Sequence, residues 1–298
     1  RDLVRSRGLG DVYKRQEFEH TMYNALMATM KNDGSQISKY SPLEGRRQPG
    51  EEQCGMHINC CNANGPRGFA LIPKTACTIK DNHIYLNLYL PLQATISLNK
   101  KNKVHLNVES DYPIHGKVNV NIGVQKKEKF TLALRIPTQI EKMKAYINGE
   151  EQEITHKGGY LYIERIWENA DKVTLDFKIE TKVVKLNNSQ AIVRGPLLFA
   201  RDSRFNDGDI DECATIKCNN QGVIQAKIKK NKTGTFPWIT LTVPAVLGTD
   251  LENVENKTPK LINFCDFSSS GNDWNPNGRY RVWIPQTFHA MSEPYKKY

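Results

Sequence analysis

The hydrophobic period of the sequence changes once, close to Asp81, and this change constrains the fold more than any other feature. Before it, Phe18, Met22, Leu26 and Met30 recur at every fourth position, which is typical of the apolar face of a helix. After it, apolar residues alternate with other side chains, as in a strand with one buried face. The alternating positions are Ile84, Leu86, Leu88 and Leu90; Val104, Leu106 and Val108; Val118, Val120, Ile122 and Val124; Phe130, Leu132, Leu134 and Ile136; and Val173, Leu175 and Phe177.

The alternating stretches are short and are separated by turn sequences, such as Asn-Gly at 148–149 and Gly-Gly at 158–159. This pattern predicts an antiparallel β-sandwich over residues 81–180. Beyond it the chain keeps β-rich segments between longer polar loops: Ala191–Val193, Val223–Ile228, Trp238–Val243 and Tyr280–Ile284. We therefore predict a mainly β protein with a second antiparallel sandwich over residues 181–298 and a boundary near 180.

The start of the chain fits neither period. Residues 1–16 contain five positive and two negative charges, are punctuated by glycine, and are expected to be an unrelated or disordered lead outside the fold. The first helix is expected from Glu17 to Met30, because an Asn-Asp-Gly sequence at 32–34 ends it. Residues 35–53 are polar and are predicted to form a long loop.

A second helix is predicted to start near Asn64, with this residue as its cap and Pro66 in its first turn, where the missing N–H costs nothing. Phe69, Ile72, Ala76 and Ile79 continue its apolar face. Pro73 lies inside the pattern, so the helix is expected to kink or restart there.

The net charge of +10, from 42 basic and 32 acidic residues, raises the question of a nucleic-acid partner. The lysines are dispersed, however, and many alternate with apolar residues, as in Lys117-Val118-Asn119-Val120, which is typical of the solvated face of a sheet. No cluster of basic and aromatic residues is evident, and no apolar run approaches the roughly 20 residues of a membrane span. We expect no nucleic acid and no membrane among the partners, and the sequence leaves oligomerisation open.

Metal-capable side chains are concentrated at residues 51–62, which include the adjacent cysteines Cys60 and Cys61. Adjacent cysteines rarely form a disulfide with each other, whereas both thiolates can be ligands of a tetrahedral zinc ion. The start of a helix close by would also favour the thiolate form. A pair of buried structural cysteines and a redox role are the alternatives. Cys54 and His57, or residues distant in sequence, would have to complete a metal site.

Several motifs resemble glycoside hydrolase family 127, whose founding activity is β-L-arabinofuranosidase. They are EFEHTMYNALMATM, CGMHINCCNANGPRGFALIP, IYLNLY, YPIHGKVNVNI, LALRIP, INGE, GYLYIERIW and IVRGPLLFA, and they follow the order of the family from about Glu17 onward. The resemblance implies an α/α barrel catalytic domain followed by two β-sandwiches. It makes residues 17–80 the C-terminal remnant of the barrel and the chain a C-terminal fragment that lacks most of that barrel.

The resemblance also implies a site. Family members bind zinc through one glutamate and three cysteines, two of which are the adjacent pair, and the first cysteine of the pair is the nucleophile. Cys60 would thus attack the anomeric carbon of a non-reducing-end L-sugar, such as β-L-arabinofuranose of plant-derived glycans. Cys61 would be a zinc ligand. The double displacement through a thioglycosyl intermediate retains the anomeric configuration.

The sequence departs from the family where the remaining ligands are expected. A Glu-x-Cys motif, whose glutamate would also be a candidate for the acid/base, should lie shortly upstream of Glu17, where residues 1–16 do not contain it. Glu51, Glu52 and Cys54 mimic its spacing but lie on the other side of the first helix in sequence. We interpret Glu52 and Cys54 as loop residues near the site. His57 is a further candidate neighbour, although a lone histidine is more often a structural hydrogen-bonding residue. The acid/base is not identified, and the chain alone is expected to be inactive.

Other candidate residues have simpler interpretations. Asn59, Asn62 and Asn64 are better explained as helix-capping residues than as sugar contacts. The four tryptophans are better explained as core residues than as sugar-stacking platforms; they are Trp167, Trp238, Trp274 and Trp283. The alternative function is a non-catalytic carbohydrate-binding or assembly sandwich, and the adjacent cysteines favour the enzyme, because a binding module has no use for them.

Overall fold

The structure is a computed structural model that describes residues 12–49, 60–98, 102–232, 234–248 and 258–286. Its helices are Val12–Thr21 (α1), a π-helical turn at Met22–Leu26, Cys60–Ala76 (α2) and a 3₁₀ turn at Ser203–Phe205. Across these described residues, every helix is too short or too polar to span a membrane.

The remaining elements are strands. In chain order they are β1 (Glu44–Gly45), β2 (Cys77–Lys80), β3 (His83–Leu86), β4 (Leu92–Ser97), β5 (Lys103–Ser110), β6 (Lys117–Val124), β7 (Glu128–Arg135), β8 (Lys142–Ile147), β9 (Glu150–Gln152), β10 (His156–Lys157), β11 (Tyr160–Trp167), β12 (Asp171–Lys178), β13 (Thr181–Leu186), β14 (Ser189–Arg194), β15 (Leu197–Asp202), β16 (Ala214–Ile216), β17 (Lys227–Lys230), β18 (Ile239–Leu247), β19 (Lys260–Asp266), β20 (Tyr280–Arg281) and β21 (Ile284–Pro285). The predicted mainly β fold with a short helical start is confirmed.

The described residues divide into two compact units. The first contains 12–29, 60–180 and 194–197, and the second contains 30–49, 181–193 and 198–286. The first unit has two sheets, with strand orders β10-β11-β7-β3-β2 and β4-β5-β6-β12-β8-β9. The alternating apolar residues of the sequence form its core; Val118, Val120, Val173 and Leu175, for example, are fully buried.

One pairing in this unit is parallel and departs from the predicted antiparallel pattern. β3 lies parallel to β7, with Ile84 opposite Leu132. The chain between these two strands forms β4, β5 and β6 of the other sheet. Because it returns to the first sheet by a crossover rather than a hairpin, β7 runs in the same direction as β3.

The first helix begins five residues earlier than the sequence predicts. α1 starts at Val12, so residues 12–16 are helical rather than part of a lead outside the fold. Arg15 explains the extension, since its guanidinium lies 4.8 Å from the ring centroid of Tyr160 and donates a hydrogen bond to the hydroxyl of that residue. This tertiary contact stabilises helical turns that the local sequence does not favour. Residues 1–11 lie outside the described part.

Among the described residues of the second unit, ten strands belong to one hydrogen-bonded network. Its long strand β18 pairs antiparallel with β16, β17 and β19, and buries Leu241 and Val243 on one face. The segment 30–49, which precedes α2 in sequence, belongs to this unit: β1 pairs with β20, and the Tyr280 hydroxyl donates to the Pro42 carbonyl at 2.7 Å.

Candidate active site

The adjacent cysteines open α2. Cys60 and Cys61 are its first two residues, and both are half-buried. The predicted start near Asn64 is therefore wrong by four residues. The Asn64 side chain donates to the Cys60 carbonyl at 3.0 Å and accepts from Arg67 at 3.0 Å, as an amide one turn along a helix can. Asn64 is thus an interior helix residue and not the cap, and the cysteines belong to the first turn.

α2 continues through both of its prolines to Ala76, contrary to the predicted break at Pro73. Each proline lacks the N–H that would donate to the carbonyl four residues earlier, which is that of Asn62 or Phe69. Asn62 is exposed and Phe69 is half-buried, so water can satisfy these carbonyls. The two prolines therefore destabilise α2 less than they would destabilise a buried helix.

Gly68 brings α2 close to the π-helical turn. A Cβ atom at this position would lie 2.9 Å from Leu26 Cδ1, closer than normal van der Waals contact. At its other end α2 is held by Asn87, whose Nδ2 donates to the Thr75 carbonyl at 2.8 Å and whose backbone N–H donates to Ala76 at 2.8 Å. These contacts fix the helix that carries the cysteines at its start.

The other predicted site neighbours lie outside the described residues. Glu52, Cys54 and His57, like Glu51 and Asn59, belong to 50–59. Within the described ranges, no three or more histidine, cysteine or acidic side chains come together as a metal site would require. The described candidate ligands are therefore the thiols of Cys60 and Cys61 on one helical turn. Thiolates are suitable zinc ligands, but these two would fill only half of a tetrahedral site. Zinc binding by Cys60 and Cys61 stays a prediction.

A buried ion pair, which the sequence analysis missed, lies under the first helix. The Glu19 carboxylate accepts from the Arg135 guanidinium, and the two side chains are 0% and 1% exposed. Arg135 Nε also donates to the Asn87 carbonyl at 2.5 Å, which connects the pair to the residue that holds the end of α2. The Tyr112 hydroxyl donates to the second Glu19 oxygen at 3.4 Å.

The electrostatics of this cluster follow from its burial. Desolvation alone would lower the pKa of Arg135, but the adjacent Glu19 carboxylate and Tyr112 raise it above its ordinary value. Burial raises the pKa of Tyr112 well above its ordinary value, and it raises the pKa of Tyr160 to about 12. The arginine is thus held charged and the tyrosines neutral. A carboxylate enclosed in this way cannot reach a substrate, so Glu19 is a residue that holds α1 on the sheet.

One signal in the sequence does point to Glu19. It lies three residues before Met22 and four before Tyr23, both fully buried, and so shares the apolar face of the helix. An acid on such a face requires a buried partner. Arg135 is the last residue of β7. Every residue of this strand from Phe130 onward is buried, so both faces of the strand are covered. Its pairing with Glu19, 116 residues away, is set by the tertiary fold.

Cys77 and Trp167 have structural roles. Burial raises the pKa of Cys77 to about 11, so this thiol is a poor nucleophile at neutral pH. Trp167 is fully buried, stacks on Phe130 at 5.5 Å and donates to the Phe130 carbonyl at 3.0 Å, which confirms its predicted place in the core. The other three tryptophans are half-buried; they are Trp238, Trp274 and Trp283.

Comparisons with known proteins find a matching domain model and similar folds. Residues 83–179 match the model of the β-L-arabinofuranosidase GH127 middle domain. No curated protein matches the chain significantly. Among solved structures, the chain is similar to a GH127 β-L-arabinofuranosidase from Geobacillus stearothermophilus T6, with 21% identity and a TM-score of 0.72 over 92% of this chain and 46% of the other.

A GH127 β-arabinofuranosidase of 23% identity has a TM-score of 0.70, and a protein described as a glycoside hydrolase, 22% identical, has a TM-score of 0.71. They match 93% and 94% of this chain and 46% and 49% of their own. At these identities the likeness is one of fold, and the chain spans about half the length of these proteins. The resemblance found in the sequence is thereby confirmed: residues 83–179, about a third of the chain, match the middle-domain model of this family, and the chain is similar to these structures in fold.

Proposed function

We propose that this chain is part of a retaining, zinc-dependent glycosidase of the β-L-arabinofuranosidase type, with Cys60 as its nucleophile. The observation that carries the proposal is the position of Cys60 and Cys61 on the first turn of α2, half-buried, in a chain with a GH127 middle domain. The proposed substrate is a glycan with a non-reducing-end β-L-arabinofuranose.

The proposed chemistry is a double displacement. The Cys60 Sγ forms a bond to the anomeric carbon while the bond from that carbon to the leaving oxygen breaks, and an acid protonates the leaving oxygen. Water, deprotonated by the same group, then breaks the thioglycosyl bond, so the sugar leaves with its original configuration. Zinc held by Cys60 and Cys61 would keep sulfur deprotonated at neutral pH. Glu19 is excluded as the acid by its burial against Arg135.

The chain alone is expected to show little turnover and weak zinc affinity. Zinc sites draw their affinity from a complete set of protein ligands. Cys60 and Cys61 supply two, and the described residues bring no third donor beside them. The acid/base is also not among the residues identified, and such a group contributes about 10²–10⁴-fold to the rate.

A chimera tests the proposal. In it, this chain replaces the matching half of the Geobacillus enzyme, and release of p-nitrophenol from p-nitrophenyl β-L-arabinofuranoside is measured with zinc present. We expect the chimera to be active and Cys60→Ser to reduce its rate at least about a thousandfold. Cys77→Ser is the matched control, because this half-buried cysteine lies outside the proposed site and is expected to leave the rate within about twofold.

Cobalt(II) titration of the same proteins provides a readout that does not depend on turnover. Cobalt bound by thiolates has a charge-transfer absorption in the near ultraviolet, which should weaken in Cys60→Ser and in Cys61→Ser but not in Cys77→Ser. Full activity of the Cys60→Ser chimera would contradict the proposed nucleophile. Rapid turnover by the present chain alone would contradict its expected inactivity.

A further inference from the structure

A polar groove lies on the outer face of the six-stranded sheet in the first unit. It has a volume of about 290 Å³, near the lower end of small-molecule sites. β6, β12 and the end of β8 form it, and its lining residues are Lys117, Asn119, Tyr146, Gly149, Lys172, Thr174 and Asp176. From the alternation in the sequence alone, the lysines of this stretch are expected to form an ordinary solvated face.

The register explains why these side chains converge. Asn119, Thr174 and Tyr146 lie directly opposite one another on three adjacent strands, and in the row beside them Lys117 lies opposite Asp176. Residues opposite one another project from the same face of a sheet. Their neighbours along each strand, such as Val118 and Val173, are buried in the sandwich. The polar row and the core are therefore fixed by the same alternation.

Most of the polar atoms in the groove remain available to a ligand. The Thr174 hydroxyl donates to Asn119 Oδ1 at 2.9 Å, which orients the amide and leaves its NH₂ group for another acceptor. Within the described residues, neither Lys117 nor Lys172 lies within ion-pair distance of a carboxylate. By contrast, the neighbouring Lys144 is engaged by Glu151 at 3.1 Å. Two ammonium groups and the Asp176 carboxylate leave the groove with one net positive charge.

We propose that this groove binds an acidic oligosaccharide of the uronic-acid type. Lys117 and Lys172 suit the carboxylates of such a chain, because ammonium–carboxylate hydrogen bonds are charge-assisted. Asn119, Thr174 and Asp176 offer the mixed donors and acceptors that sugar hydroxyls require. Tyr146, which is half-buried, lines the same space and offers an aromatic ring on which a sugar can pack.

The same groove is poorly suited to a nucleic acid. It presents one aromatic ring, that of Tyr146, and one ring does not make the series of stacking platforms that single strands use. The groove shares no residue with the proposed catalytic site, so this inference does not depend on the activity of the chain.

Isothermal titration calorimetry of the 298-residue chain tests the proposal, with trigalacturonic acid as the probe and neutral galactotriose beside it. We expect trigalacturonic acid to bind with a Kd of about 10–1,000 µM and galactotriose at least about tenfold more weakly. The double variant Lys117→Gln/Lys172→Gln should weaken binding of the acidic probe at least about tenfold, and Tyr146→Ala should weaken it too.

The control is Lys103→Gln/Lys142→Gln, which removes the same charge from the same sheet outside the groove and should change the affinity less than about twofold. Thermal melts establish that each variant is folded. If the double variant does not fold, the single variants Lys117→Gln and Lys172→Gln are used instead, and each should also weaken binding of the acidic probe. Absence of binding, equal binding of galactotriose, equal weakening by the control, or stronger binding of a single-stranded oligonucleotide would each overturn the proposal.

Discussion

At the scale of single residues, the ion pair of Glu19 and Arg135 is the most demanding feature of the first unit. Two charges without contact to water are stable only when each has a full set of partners. Arg135 has Glu19 and the Asn87 carbonyl, and Glu19 has Arg135 and Tyr112. Removing one member leaves the other charged and buried, which costs more than the pair contributes when intact.

We therefore predict that Glu19→Gln lowers the free energy of unfolding by about 3–5 kcal/mol. The midpoint of urea denaturation, followed by circular dichroism, measures this change. The matched control is Glu164→Gln, because Glu164 pairs with Lys129 at 2.7 Å but both side chains are more than half exposed. It should leave the midpoint unchanged. Replacing both charges, as Glu19→Gln/Arg135→Met, should restore part of the loss, and no recovery would argue against a penalty from the orphaned arginine.

At the scale of elements, the turn before β6 depends on a glycine. A Cβ atom at Gly116 would lie 1.7 Å from the Phe177 carbonyl oxygen, and the Phe177 N–H donates to the Gly116 carbonyl at 3.0 Å. The clash is with backbone, so no rotamer change relieves it. Gly116→Ala should therefore force the start of β6 away from the end of β12.

We predict that Gly116→Ala lowers the free energy of unfolding by more than about 2 kcal/mol. Gly123→Ala is the control on the same strand, since the atom nearest to its added Cβ is the His105 Cβ at 3.3 Å. We expect this control to change stability by less than about 1 kcal/mol. Thermal unfolding followed by circular dichroism compares the two, and equal losses would show that the Phe177 contact is not the cause.

The elements also show how far sequence reasoning reaches. Alternation located the strands of the first sandwich because each buries one face, as Val118 and Val120 do. It could not reveal that β7 is buried on both faces, because a contact such as that of Arg135 with Glu19 joins residues 116 positions apart. The start of α2 was misplaced because Asn64 and Pro66 carry start signals that a helix tolerates in its interior when the affected carbonyl is exposed. The fold was thus more predictable than the site.

At the scale of the whole molecule, the chain enters the second unit at residue 30 and returns to the first before completing either. Arg47 anchors this early segment: it is 2% exposed, its guanidinium lies 4.8 Å from the Phe267 ring and 5.2 Å from the Tyr280 ring, and it donates to Ser270 Oγ at 3.0 Å. The second unit therefore depends on a segment, 30–49, that is separated in sequence from its other strands by the residues of the first unit.

We predict that Arg47→Ala destabilises the second unit by roughly 2–3 kcal/mol, because it removes buried hydrogen bonds and ring contacts together. Hydrogen exchange followed by mass spectrometry should then show faster exchange in peptides from 198–286. Arg46→Ala is the control, since Arg46 is exposed and reaches only the Pro276 carbonyl at 3.4 Å. Unchanged exchange at 267–271 in Arg47→Ala would contradict the anchoring role.

The pairing of β1 with β20 has a consequence for synthesis on the ribosome. Glu44 and Arg281, which pair in register and through an ion pair, are separated by 237 positions. β1 leaves the ribosome first, and its partner strand β20 is made 237 residues later. At about 5–20 residues per second, the interval between them is roughly 12–50 seconds. During that time Arg47 has no Phe267 or Tyr280 to contact, so the second unit completes folding only after β20 has been made.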